Sequence, residues 1–149
     1  SYSVTGVQTC ALPISARPLL FAILDNQSGI IIGQYIFKAN INKNFNQDIV
    51  DLLGGALNSI VSILEEVYHS SGHLREIEKD MFKVLFEPRQ TVTGVLFADA
   101  KSLTLRHLLH AATNEFCEKY HKEIELLKTA SGCRVLNIAS IAKIFERSN

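Results

Sequence analysis

The order of apolar runs predicts an α+β domain on a five-stranded, mainly antiparallel sheet, with elements in the order β-β-α-β-β-β-α-α. Three observations carry that expectation. Short apolar runs of strand length come in groups, two before residue 40 and three between residues 73 and 98. Two long stretches with apolar residues at helical spacing, 47–69 and 103–129, follow those groups. The chain is 149 residues long and 47% hydrophobic, enough to bury the core of one domain of ordinary size.

Residues 1–15, SYSVTGVQTCALPIS, carry no charge and no periodicity. They lack the basic start and apolar central region of a signal peptide. The segment from Val4 to Ile14 resembles the conceptual translation of a sequencing-library adapter. Residues 1–15 are therefore expected to be a non-native, disordered leader, and residues 16–149 a single domain.

Pro18 to Asp25 and Ile30 to Ala39 read as the strands of a hairpin, joined by the Asx- and Gly-containing turn Asp25-Asn-Gln-Ser-Gly29. Neither run alternates cleanly, so both strands are expected in the sheet interior or covered on both faces. In the first helix Asn46 is the expected N-cap, with Phe45 and Val50 at the staple positions. Ile49, Leu53, Ala56, Ile60, Leu64 and Val67 fall on one face of it, and Ser70-Ser-Gly72 ends it. A three-stranded meander follows: His73 to Lys79, charged enough for an edge, then Met81 to Glu87 and Thr91 to Ala98. The second long helix is expected from Leu103 to Thr129, with Ser102 as N-cap and Leu105, Leu109, Ala112, Phe116, Tyr120 and Leu127 on its core side. Gly132 breaks the pattern, and Asn137 to Phe145 reads as a short terminal helix carrying Ile138, Ile141, Ile144 and Phe145.

Fifteen basic residues balance fifteen acidic ones, which argues against a dedicated nucleic-acid binder. No apolar run approaches the roughly 20 residues that span a bilayer. Three cysteines without a CxxC pair suggest free thiols in a reducing compartment. There is no phosphate-binding glycine loop, no HExxH and no GxSxG. Asp25 to Gly29 lacks the alternating acidic ligands of a calcium loop.

His107, His110, Asn114, Cys117 and His121 stand at spacings of 3, 4, 3 and 4, so they form one stripe on the second long helix. Imidazoles so spaced can share a zinc or nickel ion, but a closed site needs ligands from a second element. The stripe lies opposite the Leu105–Leu109–Phe116 face and is expected to be solvated or partner-facing. His121 is the local candidate base for a Cys117 nucleophile, yet no oxyanion donors accompany the pair. The sequence thus points to no metal, no cofactor and no catalytic residue. On the first long helix Gly54 and Gly55 share an outer face with Asn58, while Val50, Val61 and Tyr68 widen the apolar arc. Small residues on an outer face suit the close approach of another backbone.

The element order, with the segments LLFAILDNQSG, LLGGALNSIVSILEEVY, HLREIEKDMFKVLFE and TVTGVLFADAKS, resembles the longin fold within the profilin-like and roadblock-like group. That resemblance spans residues 18–149. It implies a non-enzymatic module that binds a small GTPase or another longin- or roadblock-like protein, as a homo- or heterodimer. It also implies a cytoplasmic location, peripheral at membranes through a partner. In longins the first helix and third strand form the partner groove, which corresponds here to Val50, Gly54, Gly55, Asn58, Val61, Tyr68, Leu74 and Ile77. The alternatives are a roadblock-like GTPase regulator and a PAS- or profilin-like small-molecule sensor. A sensor needs a cavity, whereas Phe21, Ile23, Phe82, Phe86, Leu96 and Phe97 are bulky enough to fill the sheet's faces.

Overall fold

The computed structural model describes residues 16–40, 54–60, 62, 76–78, 82–122 and 136–146. Strand β1 is Pro18–Asp25, β2 Ile31–Ile36, β3 Glu76–Glu78, β4 Lys83–Pro88 and β5 Val92–Ala98. Residues 54–60 are helical and are called α1. Helix α2 is Leu103–Lys119 and α3 is Ala139–Ala142, and 3-10 turns occupy Lys38–Asn40 and Lys143–Glu146. The sheet runs in the order β2-β1-β5-β4-β3, with antiparallel neighbours throughout. Four strands have six to eight residues, and β3 is a three-residue edge. The α+β class and the antiparallel sheet are as the sequence predicts.

The sheet's centre explains why the apolar runs do not alternate. All eight residues of β1 are buried. Successive side chains point to opposite faces of a strand, and here each face has its own cover. Phe21, Ile23, Leu85 and Leu96 pack against Leu105, Leu109, Ala112 and Phe116 of α2 and against Ile138, Ile141 and Phe145. Leu20, Ala22, Leu24, Val84, Phe86, Val95 and Phe97 pack against Leu57 and Ile60 of α1. A strand buried on both faces has no polar side to show.

Strand β2 departs from the expected pattern. It lies at the sheet's end rather than in its interior, and it stops at Ile36 rather than at Ala39. Phe37 N donates to Leu19 O at 2.9 Å, then the chain turns, and Asn40 Nδ2 reaches Pro18 O at 2.9 Å. The outer edge of β2 is met by the C-terminal segment: Gly33 bridges to Leu136 in parallel, and Leu136 N donates to Ile32 O at 2.6 Å. A Cβ on Gly33 would lie 2.9 Å from Ile138 Cγ2 and 3.2 Å from Leu136 O, so this approach needs glycine. The hairpin turn is held by Asp25, whose Oδ2 accepts from Ser28 N at 2.9 Å and Ser28 Oγ at 2.6 Å. Gly29 follows with φ 73°, a left-handed conformation that glycine adopts at little cost.

Three boundaries move. Strand β4 starts at Lys83 rather than Met81, and β5 starts at Val92 rather than Thr91, where Arg89 N donates to Val92 O at 2.7 Å and closes the turn between the two strands. Helix α2 begins where predicted, with Ser102 extended (φ −156°) and its Oγ accepting from Leu105 N at 3.1 Å. It does not run unbroken to Thr129. Tyr120 leaves helical geometry (φ −112°, ψ 23°), stacks on Phe116 at 5.0 Å and donates its hydroxyl to Asn137 O at 3.3 Å. The predicted terminal helix is α for four residues and then tightens to 3-10, which seats Ile144 and Phe145 in the core.

The leader 1–15, the start of the first helix around Phe45, Asn46 and Val50, and Gly132 lie outside the described residues. Among the described residues, no helix is long and apolar enough to cross a membrane.

Candidate functional site

The expected docking face is described in part. In α1 Leu57 and Ile60 turn inward and are buried, whereas Gly55, Asn58 and Ser59 are exposed and Gly54 is half-buried. Among the described residues, no atom lies within 4 Å of a Cβ built on Gly54 or Gly55. At the sheet's end, Ile77 pairs through its backbone with Val84. Glu76 holds Lys101 Nζ at 2.8 Å and lies 3.9 Å from Arg106 Nη2. An end strand turns one row of backbone N–H and C=O groups away from the sheet, which suits the addition of another strand. Val50, Val61, Tyr68 and Leu74 lie outside the described residues.

A second polar constellation lies where α2 crosses the turn between β4 and β5. The Glu87 carboxylate, only 6% exposed, binds Arg89 Nη1 through Oε2 and lies 2.9 Å from His110 Nδ1. Arg89 also donates Nε to Asn114 Oδ1 at 2.9 Å, Nη1 to Pro88 O at 3.0 Å and Nη2 to His110 O at 3.4 Å. Its Nη2 stands 3.2 Å from His110 Nδ1. Asn26, from the neighbouring hairpin turn, donates to Arg89 O at 2.8 Å and accepts from Thr93 Oγ1 at 2.6 Å. Burial alone would raise the Glu87 carboxyl, but hydrogen bonds from Arg89 and His110, with their charges, outweigh it and hold its pKa below 4.5. The geometry suits a clamp that ties helix to turn.

The stripe on α2 therefore divides. His107 and His121 are exposed and Cys117 is half-buried, its thiol pushed up by burial. His110 and Asn114 also present exposed surface, yet both reach back to Arg89. The turn after Pro88 rises beside α2 and meets it there. Among the described residues, no group of three or more His, Cys, Asp or Glu side chains is placed to hold a metal ion. Cys117 is a free thiol, and Cys133 lies outside the described residues. Phe21, Ile23, Phe86, Leu96 and Phe97 are fully buried and Phe82 nearly so, filling both faces of the sheet with side chains.

The constellation at Glu87 has no signature in the sequence because its members stand far apart, Arg89 and Asn114 by 25 residues and Asn26 and Thr93 by 67. No spacing rule joins a strand end to a helix across a turn. No protein-family model and no curated protein matches the chain.

Proposed function

We propose that this chain is a non-enzymatic protein-interaction module of the longin type, and that it docks a small GTPase or trafficking partner across the outer face of α1 and the β3 edge. A second longin- or roadblock-like chain would use the same surface. The observation that carries this reading is the pair of glycines in α1. Each costs a helix interior roughly 1 kcal/mol relative to Ala. Neither is required by packing against the described residues, none of whose atoms lies within 4 Å of either Cβ position. A surface kept bare at that cost suits the close seating of another backbone.

The test separates partner from fold. Gly55→Arg puts a long side chain into open space, so the monomer should melt as the wild type does while capture of the partner is lost. Gly55→Ala should stabilise the isolated chain by about 0.5–1 kcal/mol. The measurement is a pull-down from the native host read by mass spectrometry, beside circular-dichroism melts. Equal capture by wild type and Gly55→Arg would overturn the reading.

A further inference from the structure

We propose that His110 is a proton-governed joint between α2 and the β4–β5 hairpin, its Nδ1 bonding Glu87 when protonated and Arg89 when not. The Nδ1 atom lies 2.9 Å from Glu87 Oε2 and 3.2 Å from Arg89 Nη2. A carboxylate only accepts hydrogen bonds and a guanidinium only donates them. One ring nitrogen offers a hydrogen or a lone pair, never both. The two contacts therefore exclude each other, and the proton on Nδ1 decides between them.

The imidazolium carries hydrogen on both nitrogens, so the protonated ring bonds Glu87. The neutral ring keeps one hydrogen, and its surroundings place it on Nε2. The Arg89 cation opposes a hydrogen on Nδ1, and the charge of Glu87 is already answered by Arg89 Nη1. The His110 side chain is 60% exposed, so water can accept from Nε2. Nδ1 then receives Arg89 Nη2. Among the described residues, the charged groups that meet the ring are Glu87 and Arg89, from β4 and the turn after it. On α2 itself Arg106 and His107 stand one turn earlier, and Asn114, one turn later, holds Arg89 Nε. Arg89 keeps Asn114, Pro88 O and His110 O as acceptors in either state, so the exchange is confined to its Nη2. In both states Arg89 ties α2 to the turn through Asn114 and His110 O; the proton on Nδ1 adds a tie to the strand through Glu87, and its loss adds one more to Arg89. Histidine is the side chain whose charge changes between about pH 5 and 8.

The experiment is a long-range proton–nitrogen correlation spectrum of the full chain, followed from about pH 5 to 8. The expected result is that Nδ1 loses its proton while Nε2 keeps one, with the Arg89 side-chain signals moving at the same midpoint. In Glu87→Gln the protonated ring should no longer show Nδ1 donating to a carboxylate, and in Arg89→Gln the neutral ring should no longer show Nδ1 receiving a hydrogen bond. A neutral ring that retains its hydrogen on Nδ1, or Arg89 signals that stay still through the titration, would overturn the proposal. The wild-type spectrum decides by itself if either variant folds poorly.

Discussion

Gly94 carries no side chain because α2 leaves it no room. A Cβ there would stand 2.1 Å from Thr113 Oγ1, and 3.2 and 3.3 Å from that residue's Cβ and Cγ2. Thr113 is fully buried and cannot swing away without giving up its 2.7 Å bond to Leu109 O. Gly94→Ala should thus cost about 1–3 kcal/mol, the usual range for overpacking a close contact. Adding Thr113→Ala should recover part of the loss, which a double-mutant cycle by urea unfolding would read. Glu87 gives a second prediction at this scale. Its carboxyl pKa is depressed in the folded chain, so it contributes stability above its unfolded value and loses it as pH falls through the folded one. The wild type should lose stability below about pH 4.5 more steeply than Glu87→Gln, as melts along an acid series would report. Neither residue announced its role. Gly94 reads as one more glycine in a β run, and Glu87 meets His110 from 23 residues away.

Single elements were more legible wherever their determinants are local. The span of β1 follows from an apolar run that ends on an Asx turn, and the start of α2 follows from Ser102 standing before a periodic stretch. Ser102→Ala should cost about 1 kcal/mol and fray the first turn of α2. The check is a lower denaturation midpoint with faster amide exchange at Leu105, the N–H that Ser102 Oγ receives. Elements whose limits depend on distant partners were not legible. The periodicity through Tyr120 reads as helix, yet Tyr120 takes Phe116 and Asn137 as partners and breaks the run. The apolar character of Ile31–Ile36 suggested an interior strand, whereas β2 is an end strand whose edge is met by Leu136. Of the candidate docking face, Gly54, Gly55 and Asn58 could be named from helical spacing. The openness around the glycines is a three-dimensional property that spacing does not carry.

Taken whole, the molecule is one sheet with two cores that share their middle strands. β1 sends Phe21 and Ile23 to one core and Leu20, Ala22 and Leu24 to the other, and β5 divides Leu96 from Val95 and Phe97 in the same way. A disturbance of either cover therefore reaches the strands on which the other depends. The C-terminal segment makes this testable. Phe145, 1% exposed, sets its ring 5.0 Å from Phe21 and 5.8 Å from Phe37, so it pins the chain's last described turn to its first strand. Phe145→Ala should cost about 3–5 kcal/mol, the range for deleting a buried aromatic ring. It should do so without splitting the transition, because the sheet cannot shed one core and keep the other. Far-ultraviolet circular dichroism, which follows the backbone, and near-ultraviolet circular dichroism, which follows the packed rings, should then give one coincident midpoint, lowered together. Two separated midpoints in Phe145→Ala would mean that the α1 side stands without the α2 side, and that β1 and β5 do not couple them.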